Sequence, residues 1–386
     1  MTLVLSAALL VARRPESFSN PQFWGDDGAF YQMAYTDGWK VLFLPYAGYQ
    51  HLFSRMVAEG AIFVDPRWVP AFFVGCASLA TLYVAARTQS ARSPLPRVAA
   101  CAFAVVLVPD AFEVLHSLVN VQWVLAGGLL LLLISADPHR WIEYGHDLIA
   151  AVVLGFEGPF SAFLAPLFIV RALFRRSAAS WIVAAAVTVC GAVQTWYIAH
   201  GPDVYPVGGR IAWEALVAVS GMRIVGSLFV GFLVPPDYPR VVETLLGIIF
   251  LAGLTGIAVH KGAARPARLW LAAGVIVLLA ASLYRIRYGW ADLCHATYGS
   301  RYFFPLQLGC IWLLFIGTQD NRRWISYPMV AMLLWALVIN LPRLREPPFG
   351  DFHWANYASK IRAGEAVTIP INPPPWSISL PPRPSH

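Results

Sequence analysis

Eleven apolar segments recur along this 386-residue chain, and they constrain the fold more than any other feature. Only 13% of the residues are charged, about half the fraction in soluble proteins, which excludes a soluble enzyme with one ordinary core. A β-barrel porin is excluded too, because its strands alternate apolar and polar residues. The segments favour an all-α polytopic membrane protein with about 11 transmembrane helices, several of which must extend into flanking loops to reach the usual ~20 residues. We predict helices near 2–13, 67–87, 98–108, 121–135, 143–155, 159–174, 178–199, 242–260, 269–285, 302–317 and 325–341.

The positive charge, +7 in total, is concentrated in short connections between these segments. Twelve of the 28 Lys and Arg residues fall in five such connections. The positive-inside rule places these connections in the cytoplasm, with the N-terminus inside and the C-terminus outside. We therefore interpret the charge as a topology signal and expect no nucleic-acid partner. The five connections are 87–97, 139–140, 171–176, 261–268 and 322–323.

Two segments fit this topology poorly. The apolar run 2–12 is followed, not preceded, by Arg13 and Arg14, so we interpret it as a short first transmembrane helix and not a cleaved signal. These two arginines nevertheless fall on the outer side of the scheme. The stretch 210–235 would invert everything downstream if it crossed the membrane, so we expect an amphipathic or re-entrant helix on the outer face. Five scattered cysteines argue against a disulfide framework or a zinc site.

Most of the polar sequence lies on the predicted outer side. We divide the chain into a transmembrane domain, 1–341, whose first outer loop (14–66) is long and amphipathic, and an outer tail, 342–386. Loops of this length are costly to order unless they have a function, so we expect the active or binding face to be extracytoplasmic.

An acidic pair, Asp26 and Asp27, follows the first apolar segment between two glycines. Paired carboxylates at a membrane surface can accept a proton, bind a divalent metal or orient a hydroxyl. An ordinary Asp-Gly loop turn explains the same residues. Both interpretations stay open on spacing alone.

The first outer loop also contains Tyr46, His51 and Arg55 within an apolar stretch. In a helix from about 48 to 58, His51 and Arg55 would lie four residues apart on one face. Interfacial anchoring is the simpler explanation of the tyrosines taken alone.

A third polar cluster lies at the junction before the 121–135 segment. It comprises Glu113, His116, Asn120, Gln122 and Trp123. Polar residues at the mouth of a membrane span are expensive and tend to mark sites. Helix capping and interfacial anchoring account for Asn120 and Trp123, but less easily for His116 with Glu113.

Two further features carry charge near the outer face. Glu157 lies in a Gly/Pro break between two apolar segments, where irregular backbone must be covered by protein or line a wet cavity, so it is a site residue or the partner of an arginine. Arg287, Arg301 and Tyr302 flank the entrance to the 302–317 segment, and Arg223 lies in the ambiguous stretch. Arginine suits phosphate because its planar fork binds two oxygens, whereas snorkelling to lipid headgroups is the simpler explanation.

The motifs that contain these residues resemble the GT-C superfamily of integral-membrane glycosyltransferases and, more narrowly, a group of uncharacterised bacterial GT-C-like membrane proteins. The resemblance is carried by the order of short motifs over nearly the whole chain. These are WGDDG (24–28), PYAGYQHL (45–52), LVNVQW (118–123), GPFS (158–161), GSRYF (299–303) and IPINPPPW (369–376).

The resemblance implies transfer of a sugar from a polyprenyl-phosphate donor to a glycan or lipid acceptor, at the outer face of the bacterial cytoplasmic membrane. Asp26 or Asp27 matches the general base of the family, and Arg301 would contact the donor phosphate with support from Arg287, Arg223 or His51. Related proteins have Glu at the position of Asp26 and an uncharged residue at Glu157, which puts a carry-over of substrate preference in doubt. Some relatives use a divalent cation, Mg²⁺ or Mn²⁺, for which the acidic pair would be the ligands.

Two other functions stay open at this point. Broken helices such as the one at 155–159 are typical of transporters and flippases for lipid-linked or anionic solutes. A non-catalytic subunit of an envelope-assembly complex would retain the same scaffold without the chemistry.

Overall fold

Apolar helices form the body of the protein. A computed structural model describes residues 1–109, 111–201, 213–231, 240–286 and 299–383. All eleven predicted helices are present, with ends shifted by a few residues, because long apolar runs are a strong helix signal. They are α1 (Thr2–Arg13), α5 (Val69–Thr88), α6 (Ala99–Leu107), α7 (Val121–Ile134), α8 (Trp141–Gly155), α9 (Phe160–Arg175), α10 (Ala178–His200), α12 (Arg240–Val259), α13 (Arg265–Arg285), α14 (Phe304–Gly317) and α15 (Arg323–Asn340).

The remaining elements are short. They are α2 (Glu16–Ser19), α3 (Asp26–Asp37), α4 (Leu52–Ala61), α11 (Trp213–Ser220), which continues as a π-helix (Gly221–Val230), α16 (Ala358–Arg362), and the strands β1 (Val367–Pro370) and β2 (Ser377–Leu380). The described residues also contain 3-10 helices at Gly38–Phe43, Pro66–Trp68, Ser300–Tyr302, Leu341–Arg343 and Trp354–Asn356. Of the ambiguous stretch 210–235, only 213–231 is described, and it is helical. Its assignment as an amphipathic or re-entrant segment stays a prediction.

Five helices in the described part of the chain are long and apolar enough to cross a bilayer. They correspond to α5, α10, α12, α13 and α15. The nearly all-α fold is therefore confirmed, and these five helices indicate a multi-pass membrane protein. The number of about 11 spans stays a prediction, because α1, α7 and α14 are shorter than the usual ~20 residues.

The helix α7 lies at the centre of the body. Every residue of α7 is buried, and nearly every residue of α14 is buried as well. A Cβ added at Gly127 of α7 would lie 2.9 Å from Leu308 of α14, so the glycine permits their close approach. In contrast, α15 exposes large apolar side chains such as Trp335 and Val338, as expected of a helix that faces lipid.

The short basic connections contact one another at one end of the body, which we call the basic face. Arg92 donates to the carbonyl of Ala136 (3.2 Å), and Gln319 donates to the carbonyl of Pro94 (2.9 Å). These contacts join the 87–97 connection to residues that closely precede the 139–140 and 322–323 connections.

At the opposite end, which we call the loop face, the first loop and the tail share a second hydrophobic core. The antiparallel hairpin β1–β2 pairs Val367 with Leu380 and packs on α3. Gly28 permits this contact, since a Cβ there would lie 2.7 Å from Ile371. The sequence-based division at 341 separates the tail from the membrane body, but the tail and the first loop fold against each other.

Arg13 and Arg14 join α1 to the tail at this loop face. Both arginines are buried and form ion pairs with Glu346, at 2.5 and 3.1 Å. Arg13 also donates to the carbonyl of Val106 (2.7 Å), and the Arg14 guanidinium stacks over Phe349 at 4.0 Å. Because these charges are buried and paired, they are not free loop charges, which explains why they depart from the charge pattern.

Candidate functional site

The two aspartates of the acidic pair point in different directions from the first turn of α3. Asp27 is buried, and its carboxylate accepts hydrogen bonds from Ser117 Oγ (3.1 Å) and the backbone N–H groups of Leu118 (3.2 Å) and Val119 (2.8 Å). Burial raises the pKa of Asp27, and these three donors act against the rise. Asp27 therefore fixes the connection before α7 to the first loop.

Asp26 is half-buried and accepts one hydrogen bond within the described residues, from the hydroxyl of Tyr46 (2.6 Å). Burial and the neighbouring Asp26 carboxylate raise the pKa of Tyr46, so its hydroxyl stays a donor. Asp26 keeps acceptor capacity for an incoming hydroxyl, since a carboxylate has about four lone-pair positions. The structure thus separates the roles of two residues that the sequence leaves equivalent.

A tight turn connects Tyr46 to Tyr49. Their backbone N–H and C=O groups bond each other at 2.8 and 3.2 Å, and the central residues Ala47 and Gly48 have φ values of +52° and +88°. Positive φ at both central positions is the geometry of a type I′ turn. The turn therefore joins Tyr49 directly to Tyr46, whose hydroxyl donates to Asp26.

Tyr49 lines a cavity of about 200 Å³ at the loop face. Aromatic side chains form a large part of its lining, and among them Trp123 is in edge contact with Phe160 (5.0 Å) and Tyr302 (5.1 Å). Arg285 at the end of α13 also lines the cavity. Aromatic faces with one cationic group suit a small ring that carries an anionic substituent.

Arg301 adjoins this cavity through Tyr302 and is held by Glu113. Its Nη1 lies 3.6 Å from the Glu113 carboxylate, which also accepts the backbone N–H of Gly299 at 3.0 Å. The Arg301 side chain is 31% exposed, so its guanidinium retains access to a ligand. Glu113 therefore acts on Arg301 in this structure, as a positioning group.

His51, Arg55 and Glu157 lie in the packing between the first loop and the break that separates α8 from α9. The buried Glu157 carboxylate accepts the Ser54 hydroxyl at 2.5 Å, and the His51 ring lies 3.9 Å from the same carboxylate. Arg55 is fully buried, donates to the carbonyl of Leu44 (3.3 Å) and stacks on an aromatic ring of α3. Burial lowers the pKa of Arg55. Glu157 is thus hydrogen-bonded by Ser54 and lies beside His51, and its charge also acts on Arg55.

The junction before α7 contains His116, Asn120 and Gln122. His116 is buried with a φ of +70° and contacts Phe18 edge-on at 5.4 Å. Burial, together with the charges of the arginine pair at the end of α1, lowers the pKa of His116. The backbone N–H of Asn120 approaches Ser117 Oγ at 3.4 Å, so Asn120 belongs to the turn that Asp27 fixes. Gln122 lies between Tyr49 and the glycine of the GPFS break.

Of the remaining candidates, Arg223 lies against Phe303, with its guanidinium carbon 5.4 Å from the ring centre. Its backbone carbonyl accepts Gln307 Nε2 at 2.6 Å. Arg287 lies outside the described residues. Among the sequence-based candidates, Trp123 and Tyr302 line the cavity, and Gln122 and Arg301 interact with its lining residues Tyr49 and Tyr302. Asp26 is connected to the cavity through Tyr46 and the 46–49 turn.

The sequence-based candidates do not include Tyr49 and Arg285, which both line the cavity. The Gly48-Tyr49 step inside an apolar stretch was an available signal, since glycine in such a place indicates a tight turn.

A metal site built on both aspartates does not fit this geometry. Asp27 is occupied by three donors from 117–119, while Asp26 points to Tyr46. Among the residues that the structure describes, no group of three His, Cys, Asp or Glu side chains is placed to hold an ion. The two carboxylates therefore do not form a shared Mg²⁺ or Mn²⁺ site in this arrangement.

No protein-family model, curated protein or solved structure matches the chain.

Proposed function

We propose that the chain is a GT-C-type glycosyltransferase that moves a sugar from a polyprenyl-phosphate-linked donor to a cell-envelope glycan or lipid acceptor. The reaction takes place at the loop face, on the outer side of a bacterial cytoplasmic membrane. The observation that supports this most strongly is the half-buried Asp26 carboxylate, which accepts from the Tyr46 hydroxyl, while the 46–49 turn joins Tyr46 to an aromatic cavity lined by Arg285.

In the proposed reaction, the acceptor hydroxyl donates its proton to the Asp26 carboxylate. Its oxygen then forms a bond to the anomeric carbon of the donor, while the bond from that carbon to the phosphate oxygen breaks. The electron pair leaves with the polyprenyl phosphate. A positioned base of this kind contributes about 10²–10⁴-fold in rate.

The arginines at the cavity stabilise the charge that develops on the phosphate. Arg301 is held by Glu113 at 3.6 Å and so presents its guanidinium in a defined orientation. Preorganised cations of this kind stabilise a transition state without a reorganisation cost at the moment of reaction. Trp123 and Tyr302 offer aromatic faces for the apolar side of a sugar ring.

The test compares Asp26→Asn, Asp26→Glu and Asp27→Asn with the wild-type chain, each purified and reconstituted in lipid nanodiscs. A panel of synthetic polyprenyl-phosphate hexoses and pentoses serves as donor, extracted envelope glycan and lipid serve as acceptors, and release of polyprenyl phosphate is measured. We expect Asp26→Asn to lower turnover by about 10²–10⁴-fold, Asp26→Glu to restore part of it, and folded Asp27→Asn to stay active.

Equal turnover in wild type and Asp26→Asn would overturn the proposed base. Movement of the intact donor across the bilayer without its consumption, unaffected by Asp26→Asn, would instead indicate a flippase.

A further inference from the structure

A second and larger cavity, which shares no lining residue with the first, lies between α5 and α8. It is a groove of about 680 Å³, within the range of about 300–1,000 Å³ typical of ligand sites. Its walls are almost wholly apolar, and Leu125 of α7 contributes to its lining. The rim residues Leu79 and Ile149 are largely exposed, so the groove opens sideways, toward the lipid.

The groove extends along most of α8. It is lined by residues from Trp141, at the first turn, to Leu154, near the last. Thirteen residue steps of helix correspond to about 20 Å, which exceeds one leaflet of a hydrocarbon core about 30 Å thick. An extended acyl chain therefore matches the groove in both length and polarity.

The groove ends at the basic face in a cluster of charged and polar groups. The Tyr83 hydroxyl contacts His146 Nε2 at 3.1 Å, and His146 Nδ1 contacts the Asp147 carboxylate at 3.1 Å. Arg92 donates a short hydrogen bond to the same carboxylate. Tyr83 and His146 both line the groove, so this network forms its polar end.

Arg87 adds a cation whose hydrogen-bonding capacity is not used by the described residues. It lies one helical turn beyond Tyr83 on the same face of α5. Its Nη2 is buried, lies 3.8 Å from Asp147 and forms no hydrogen bond within the described part of the chain, while the side chain as a whole is 16% exposed. Asp147 is already bound to Arg92. Together with Arg140 at the start of α8, three arginines outnumber the acids Asp147 and Glu143 at this end. The excess positive charge complements an anionic headgroup.

We propose that this groove binds one acyl chain of an anionic phospholipid, whose phosphate is bound by Arg87 at the basic face. The proposal is independent of the glycosyltransferase activity, because the groove and the Asp26 site share no lining residue. The site would provide a structural lipid that fills the gap between α5 and α8.

A groove-filling substitution tests this directly. Gly145 lines the groove, and a Cβ there would meet no atom within 4 Å, so Gly145→Leu places a side chain in the lipid's path without a clash. Gly75→Leu is the matched control, since Gly75 on α5 is equally open but does not line the groove. Ile149→Trp is a second blocking variant should Gly145→Leu fold poorly.

The full-length chain is exchanged into mixed micelles of phosphatidylglycerol and phosphatidylethanolamine, and retained lipid is counted by native mass spectrometry. We expect wild type and Gly75→Leu to retain one phosphatidylglycerol and the blocking variants to lose it. Arg87→Gln should lower the preference for the anionic lipid by about fivefold, the effect of one basic residue near a membrane surface. Arg323→Gln, which removes an exposed charge of the basic face, should leave the preference unchanged.

Three results would overturn the proposal. They are equal lipid retention in folded blocking and control variants, an unchanged preference in Arg87→Gln, and displacement of the bound lipid by stoichiometric polyprenyl phosphate.

Discussion

Replacing Asp27 by Asn tests the claim that Asp27 stabilises the fold by binding α3 to the 117–119 turn. In the structure, Asp27 Oδ1 accepts from Ser117 Oγ and the Val119 N–H, and Oδ2 accepts from the Leu118 N–H. An asparagine can keep one oxygen toward Val119. Its amide NH₂ then faces the Leu118 N–H, so a donor meets a donor in a buried place.

The expected loss of stability follows from these contacts. One hydrogen bond to a charged acceptor, worth about 1.5–3 kcal/mol, is removed, and the buried Leu118 N–H that stays unpaired adds about 1–3 kcal/mol. Burying a charged carboxylate is costly, which is also why the pKa of Asp27 is raised, and a neutral asparagine avoids this cost. The saving offsets part of the lost stability. We expect a net destabilisation of about 2–3 kcal/mol, which for a chain of 386 residues corresponds to a fall in Tm of about 2–4 °C.

Thermal unfolding followed with a thiol-reactive dye measures this change, because Cys101 and Cys190 are buried and become accessible on unfolding. The neighbouring Asp26→Asn variant is the control. It retains an oxygen for the Tyr46 hydroxyl, so we expect a change below about 1 kcal/mol. The reasoning is refuted if Asp27→Asn unfolds at the wild-type temperature, or if Asp26→Asn is the less stable of the two.

Three further predictions concern the packing around the site. Burial lowers the pKa of His116, so the folded chain keeps this histidine neutral while the unfolded chain binds a proton below about pH 6.5. The free energy of unfolding should therefore fall below that pH by up to about 1.4 kcal/mol per pH unit. In denaturation experiments on His116→Phe, this contribution to the pH dependence should be absent. Glu157→Gln should cost about 1.5–3 kcal/mol through its bonds to Ser54, and limited proteolysis should then cleave the first loop faster than in Ser54→Ala. Gly48→Val should cost about 1–2 kcal/mol at its positive φ and lower sugar transfer, whereas Gly48→Asn should be tolerated in both assays.

The helices of the body could be predicted from the sequence because a long apolar run favours a helix whatever its distant contacts are. Helices such as α10 and α13 begin and end within a few residues of the predicted positions. The number of spans could not be settled in the same way, because short helices such as α7 are apolar on all sides and buried inside the protein. Apolar sequence fits contact with lipid and contact with other helices equally well.

The association of the first loop with the tail could not be predicted, since it joins residues more than 300 positions apart. The Arg13–Glu346 pair and the packing of Ile371 on Gly28 depend on such contacts. No local pattern in either segment indicates its distant partner.

The sequence predicts several residues of the candidate site, but not the contacts that each of them makes. Asp26 and Asp27 are adjacent in sequence, yet a step of one residue turns the side chain by about 100° around a helix. That rotation places one carboxylate against the 117–119 turn and the other beside Tyr46. Glu113 and Glu157 similarly appeared as site residues, because sequence shows that an acid lies at a membrane boundary without showing which neighbour it holds.

The most direct test of the proposed chemistry is a structure of the chain with a polyprenyl phosphate bound. We predict that the phosphate contacts Arg301 or Arg285 at the rim of the aromatic cavity, with the Asp26 carboxylate facing the phosphate-bearing end and Asp27 still bound to Val119. A phosphate bound at the basic face, or an Asp26 carboxylate directed away from the bound phosphate, would contradict the account.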